Sequence, residues 1–416
     1  MEKPPFEVAD VIRSLADADG VVPDLRVSTA QQRVLGALAA CRTAKLGGHV
    51  EACDSCDYER IAYNSCRNRH CPKCQARRRA AWLEARSHDL LPVPYFHVVF
   101  TLPSELAPMA LQNQREIYNL LFSAAADTLT EIAANPRHLG AEIGFVAVLH
   151  TWGQTLVYHP HVHCVVPGGG LSPGRDGWIA SRQDFFLPVR VVSRLFRGKF
   201  LARLRAKFDA GRLHLDGRLA ELADPERFLS LCATLRDQEW VVYAKPPFGG
   251  PEQVLKYLAR YTHRVAISNR RILNIDAGNV TFTYKDYLHG NRQSVMSLTA
   301  VEFLRRFVQH VLPGGFVRIR HLGFLANRCR RDKLARCREL LAEQPASVAN
   351  QADVHIAQGD GQIAAKNSNP DGTQQHDHDI DCCPRCHHGK VRLIGTFGRQ
   401  PTWTYSSSKL ARRDSS

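Results

Sequence analysis

The run His159-Pro160-His161-Val162-His163-Cys164-Val165-Val166 puts two imidazoles at alternate positions of an apolar stretch. Residues i and i+2 of a strand point to the same face. His161 and His163 are therefore expected side by side, with Val162 buried behind them. Such a pair can hold a divalent metal. About a hundred residues later, Lys256-Tyr257-Leu258-Ala259-Arg260-Tyr261 carries two tyrosines four apart. On a helix both hydroxyls share one face, with Cβ atoms roughly 5–6 Å apart. A metal that polarises a phosphate and hydroxyls that attack it are the working parts of a phosphodiester-cleaving and rejoining enzyme.

A His-x-His pair is a weak signal alone, since paired core or surface histidines produce it too. Its setting strengthens it. Pro160 fixes the strand entrance, Cys164-Val165-Val166 buries the rest, and Gly168-Gly169-Gly170 ends the strand. A third ligand is needed. Gln154, on the neighbouring strand of a hairpin, is the first choice, with His150 and His159 as competitors. Mixed imidazole and amide donors facing a phosphate point to Mg²⁺ or Mn²⁺ rather than zinc. A tyrosine with its ordinary pKa of about 10 is a poor nucleophile. It needs activation by the metal-bound phosphate or by the cations Lys256, Arg260 and Arg264. By spacing alone Tyr257 and Tyr261 would read as packed aromatics; their basic helix and the candidate metal pair favour function.

Cysteine spacing supplies a second chemistry. Cys53-Asp54-Ser55-Cys56 and Cys71-Pro72-Lys73-Cys74 are two CxxC knuckles separated by 14 residues. Two knuckles complete a closed tetrahedral thiolate site of the zinc-ribbon kind. Cys53, Cys56, Cys71 and Cys74 are thus expected to bind one structural Zn²⁺. His49, Cys66 and His70 fall in the same window and could replace a ligand or form another site. Arg67, Arg69, Lys73, Arg77, Arg78 and Arg79 would then contact DNA phosphates. Cys383-Pro384-Arg385-Cys386 is half a site. His376, His378, His387, His388 or a partner chain could complete it, or nothing at all. Cys329 and Cys337 read as packed thiols.

Positioning these groups takes a sizeable fold. The chain has 416 residues, 44% hydrophobic, with a net charge of +15. That is enough for two or three domains, and the charge favours nucleic acid as partner. No secretory leader or membrane span is evident, so a cytoplasmic, nucleoid-associated protein is expected. Its thirteen cysteines are then more readily ligands or buried thiols than disulfides. Helices are expected over 8–46, from Gln75 to about Leu90, and over 105–134, 190–208 and 299–342. A further helix opening at Pro251-Glu252 carries the tyrosines. Strands are expected over 95–102, 143–152, 161–166 and 240–244. A hairpin should join 271–275 to 280–284. This is an α+β pattern, an antiparallel sheet with helices on one face.

The segments Cys53 through Gln75, Phe100-Thr101-Leu102-Pro103, His159 through Gly170 and Trp240 through Arg271 resemble the two-tyrosine, HUH-type transposases of the insertion-sequence ninety-one family. The resemblance covers roughly residues 28–342. It implies a ferredoxin-like HUH nuclease core behind a small zinc-ribbon-like domain. It also implies rolling-circle transposition, in which a tyrosine cleaves single-stranded DNA, forms a 5′-phosphotyrosine link and frees a 3′-hydroxyl. Carried over, His161 and His163 are metal ligands, and Tyr257 and Tyr261 are nucleophiles. The partners implied are the single-stranded element ends and the target DNA. The domains expected are 1–92 (helical, zinc-binding), 93–342 (nuclease), 343–380 (a disordered linker) and 381–416 (a CxxC element and polar tail). A plasmid replication initiator or relaxase shares the core chemistry. A non-catalytic zinc-ribbon DNA-binding protein is the rival of another class.

Overall fold

The computed structural model describes residues 4–16, 22, 24–182, 186–248, 265–287, 289–343, 382–399 and 403–405, with backbone alone at 76–79, 245–248 and 403–405. The chain starts with α1 (Val8–Leu15) and α2 (Thr29–Ala39). Ser28 caps α2. Its hydroxyl accepts from the Gln31 N–H and the Gln31 side chain accepts from the Ser28 N–H, satisfying two helix-end donors. The helix expected up to residue 46 ends at Ala39, and a short 3-10 turn leads to Gly47 and Gly48. Strands β1 (Gly48–Cys53) and β2 (Glu59–Tyr63) pair as a hairpin. The basic helix α3 (Pro72–Ser87) follows.

Next come β3 (Tyr95–Thr101), α4 (Ala107–Gln112), α5 (Gln114–Ala134), β4 (Gly144–Trp152), β5 (Tyr158–Pro167), β6 (Gly169–Leu171), β7 (Trp178–Ala180), α6 (Val189–Asp209), α7 (Pro225–Asp237) and β8 (Val242–Phe248). Helix α7 is an addition to the sequence reading. Asp224 caps it, accepting from the N–H groups of Glu226 and Arg227. The chain continues through β9 (Ile272–Asp276), β10 (Asn279–Asp286), β11 (Arg292–Thr299), α8 (Ala300–Val308), β12 (Ile319–Gly323), α9 (Arg330–Ala342), β13 (Val391–Phe397) and β14 (Trp403–Tyr405).

One expectation is corrected in this stretch. Residues 299–342 do not form one helix. Helix α8 stops before Pro313-Gly314-Gly315, and Gly315 takes a φ of +68°. Proline offers no N–H, and a positive φ leaves the helical region. The strand that follows, β12, finds its partner on the edge of β4.

The central sheet has the order β12-β4-β5-β3-β8, with every neighbouring pair antiparallel. Its two faces carry different side chains. One presents Phe96, Val98, Phe100, Phe145, Leu149 and Val162 to residues of α5 and α6 such as Leu121, Phe122, Phe196 and Phe200, all in the largest core. The other face carries His97, His150, His161 and His163. Alternation along each strand enforces this division. Helices α1 and α2 pack with α8 and β10 in a second core that includes Cys41, Cys71 and Cys74. A separate sheet of order β14-β13-β1-β2 joins the C-terminal strands to the N-terminal hairpin.

Candidate active site

Register brings the histidines together. His161 on β5 lies opposite His150 on β4, and His163 lies opposite Val148. Val162, between the two histidines, is fully buried on the helix-packed face. One ligand atom from each of His150, His161 and His163 lies within 4.8 Å of the others. His150 and His163 are buried, while His161 is more open.

Two of the remaining ring nitrogens are anchored. His161 Nδ1 is 2.7 Å from the His159 carbonyl and donates to it, which turns its Nε2 outward. His163 Nδ1 lies 2.8 Å from His97 Nε2. Trp152 stacks on His150 with ring centroids 4.6 Å apart. A metal-binding imidazole is normally held in this way through its second nitrogen. The donor set therefore fits one divalent ion with a side open toward solvent.

Gln154, the expected third ligand, has its amide engaged elsewhere. It sits in the tight connection between β4 and β5, and its amide donates to the Tyr287 hydroxyl at 3.3 Å. His150, one of its competitors, is placed directly across from His161 by the β4–β5 register, with its ring near those of His161 and His163. The connection itself is fixed from outside. Arg271 donates to the Gln154 carbonyl, Arg306 to the Thr155 carbonyl and His310 to the Leu156 carbonyl. His97 was not singled out by the sequence, since nothing in its local pattern distinguishes it from a core histidine.

The cysteines do not form the single site expected from spacing. Cys53 and Cys56 are not grouped with Cys71 and Cys74. The structure forms two separate sets, Cys41, Cys66, Cys71 and Cys74, and Cys53, Cys56, Cys383 and Cys386. The first knuckle lies in the turn of the β1–β2 hairpin, and the second opens α3. Within the first set, Cys41 Sγ lies 3.6 Å from Cys71 Sγ and from Cys74 Sγ, and Cys66 Sγ lies 3.6 Å from Cys74 Sγ. Hydrogen bonds from Cys66 and Cys71 hold the Cys41 thiol below its ordinary value, favouring its thiolate. Cys41 lies outside any CxxC pair and carried no spacing signal. The other two window residues are engaged elsewhere: His49 contacts Glu51 at 2.9 Å, and His70 Nε2 accepts from the Leu312 N–H.

Two of the expected DNA contacts are used inside the protein. Arg69 donates to the carbonyls of Leu312, Pro313 and Phe316, and Lys73 pairs with the buried Glu7 at 2.5 Å. Arg77 and Arg78 lie on α3, where only the backbone is described. Tyr257, Tyr261, Lys256, Arg260 and Arg264 lie outside the described residues. Among the described residues, a cleft of about 1680 Å³ beside the first cysteine set is lined by Arg42, Lys45, Tyr63, Arg67 and Arg399. No helix among the described residues is long and apolar enough to cross a membrane.

Comparison with known proteins agrees with this arrangement. Residues 16–102 match the family described as "Transposase zinc-binding domain", and residues 144–333 match the one described as "Putative transposase". The chain belongs to the IS91-type transposase family. It is 54% identical over 392 residues to "Putative transposase y4qJ" of Sinorhizobium fredii (strain NBRC 101917 / NGR234), covering 94% of this chain and 95% of that one. It is 29% identical over 316 residues to "Transposase for insertion sequence element IS801" of Pseudomonas savastanoi pv. phaseolicola, covering 74% and 72%. No solved structure matches the chain significantly. Membership makes DNA the partner and DNA strand transfer the class of activity. The zinc-binding-domain match and the sulfur clusters together support structural Zn²⁺.

Proposed function

We propose that this transposase cleaves and rejoins single-stranded DNA in rolling-circle transposition, with Tyr257 and Tyr261 as nucleophiles beside a divalent cation held by His150, His161 and His163. The observation that carries the proposal is the convergence of three imidazoles on one face of an antiparallel sheet. The strand order adds support. β8-β3-β5-β4, built from a β-α-β-β-α-β run, is the order of a ferredoxin-like sheet. β12 extends that sheet at one edge. The nearest described residue after Tyr261 is Val265. It lines a small cavity with Trp152, whose ring stacks on His150.

The chemistry balances on the tyrosine. Its oxygen bonds to phosphorus as the P–O3′ bond breaks, and the tyrosine proton ends on the freed 3′-hydroxyl. The 5′ end stays on the protein as a phosphotyrosine ester. A 3′-hydroxyl attacking that ester reverses the step and joins strands. When bound, the cation supplies Lewis-acid polarisation of the scissile phosphate. His150, His161 and His163 hold it, and His97 and the His159 carbonyl orient two of those rings. Three imidazoles favour Mn²⁺ over Mg²⁺, which prefers oxygen ligands.

The test is a covalent-adduct assay with single-stranded DNA from the ends of the protein's own element. The wild type is expected to give a metal-dependent, protein-linked band on a denaturing gel. Tyr257→Phe combined with Tyr261→Phe should abolish the band, and the single variants should show which tyrosine attacks first. DNA binding without an adduct would overturn the proposal in favour of a non-catalytic DNA-binding protein.

A further inference from the structure

The second cysteine set joins residues from opposite ends of the chain. Cys56 and Cys383 are 327 positions apart, yet their sulfurs lie 3.7 Å from each other. Cys53 Sγ lies 3.7 Å from Cys386 Sγ, and the four sulfurs are all within 4.8 Å of one another. Zn–S bonds of about 2.3 Å put the corners of a tetrahedron about 3.8 Å apart. A disulfide would draw two sulfurs to about 2 Å. The spacing is that of a tetrahedral thiolate set.

The backbone around the sulfurs is arranged alike in both knuckles. The Ser55 N–H points at Cys53 Sγ at 3.4 Å, and the Arg385 N–H, at the same place in its knuckle, points at Cys383 Sγ at 3.4 Å. The Gly389 N–H adds a third donor to Cys386 Sγ at 3.3 Å. Such donors favour thiolates. A Cβ at Gly389 would stand 2.4 Å from Cys53 Sγ and 2.7 Å from Ser55 Cβ, so the close approach requires glycine. Asp54 and Lys390 exchange backbone and side-chain hydrogen bonds across the gap, and β1 pairs with β13 through Cys53 and Val391.

We infer that Cys53, Cys56, Cys383 and Cys386 bind a structural zinc ion that fastens the C-terminal segment to the N-terminal hairpin. This ion is distinct from one held by Cys41, Cys66, Cys71 and Cys74. The two family matches cover 16–102 and 144–333, so half of this ligand set lies beyond both. Binding forms four Zn–S bonds and releases the protons of the thiols, with no change of oxidation state. The fastened segment also brings Gly398 and Arg399 into the wall of the basic cleft that holds Arg42 and Arg67. The proposal is independent of the nuclease chemistry.

The test uses the full-length protein. Zinc is counted in the wild type, in Cys383→Ser/Cys386→Ser and in Cys71→Ser/Cys74→Ser. Cobalt substitution distinguishes sulfur ligation from the histidine site, because thiolate-bound cobalt alone gives sulfur-to-metal charge-transfer absorption. Each double variant is expected to lose one ion per chain and about half of that absorption. An unchanged zinc count in Cys383→Ser/Cys386→Ser would overturn the proposal. A second measurement guards against misfolding. A protease recognition sequence is inserted between residues 344 and 381 and cut after purification. The C-terminal fragment should stay with the body on gel filtration in the wild type and leave it in Cys383→Ser/Cys386→Ser. Equal retention in the two proteins would also overturn the clasp.

Discussion

His97 Nε2 lies 2.8 Å from His163 Nδ1, although the two residues are 66 positions apart. The contact crosses the β3–β5 pairing, and both side chains are buried. It fixes which nitrogen of His163 faces the candidate metal. Loss of such an outer partner typically costs 10–100-fold in metal affinity. His97→Ala should weaken Mn²⁺ binding by about that factor, measured by calorimetry. His97→Gln should recover part of it, because an amide can accept the same hydrogen bond. An unchanged affinity in His97→Ala would show that the contact is only packing.

The third ligand gives a sharper contrast. His150→Ala should reduce metal-dependent DNA cleavage by more than ~100-fold, beyond what an outer partner contributes. Gln154→Ala should stay within about threefold of the wild type, since among the described residues the Gln154 side chain bonds to Tyr287. Adduct yield against Mn²⁺ concentration reads both. The reverse ranking would return Gln154 to the metal.

Acid should weaken the fold through His310. This residue accepts from the Thr151 hydroxyl through Nδ1 and donates to the Leu156 carbonyl through Nε2, both at 3.1 Å. Burial holds its pKa down at about 4, below the ordinary 6.5. Above pH 6.5 the folded and unfolded forms are both neutral and stability is full. Between pH 6.5 and about 4 the unfolded chain takes up a proton that the folded site refuses. Stability falls there by up to about 1.4 kcal/mol per pH unit, then levels off. His321, held down to about 4 chiefly by burial and then by Arg330 and Arg86, acts in the same direction. Urea midpoints at pH 7, 6 and 5 should drop, and less steeply in His310→Gln. Parallel slopes in the two proteins would refute the assignment.

Arg69 should matter for stability and not for DNA. It is half-buried and donates to three carbonyls of the 312–316 loop. Arg69→Ala leaves those acceptors unsatisfied and should cost about 3 kcal/mol. The salt dependence of DNA binding should be unchanged, because a phosphate contact is not lost. A reduced salt slope would mean that Arg69 reaches the DNA after all.

Much of this protein is legible in its sequence, for reasons that are local. Alternation alone puts His161 and His163 on one face with Val162 behind them. The long helices α5 and α6 follow from their apolar periodicity, as the hairpin of β9 and β10 follows from Ala277-Gly278, both at positive φ. Family membership also follows from residues quoted in order along the chain. What is set by dihedral preference, side-chain period or turn chemistry needs no partner to be read.

The tertiary structure decided the rest, because it depends on pairing between distant segments. His150 comes to face His161 only through the β4–β5 register, and His97 reaches His163 only through β3. Strand β12 exists because β4 offers an edge, where the local basic pattern reads as helix. The four cysteines assigned to one ion by spacing part into two sets, one completed by Cys41 and Cys66, the other by Cys383 and Cys386. A CxxC motif determines that two sulfurs face one point. Which other two arrive there depends on how the chain folds back, and sequence distance carries no record of that.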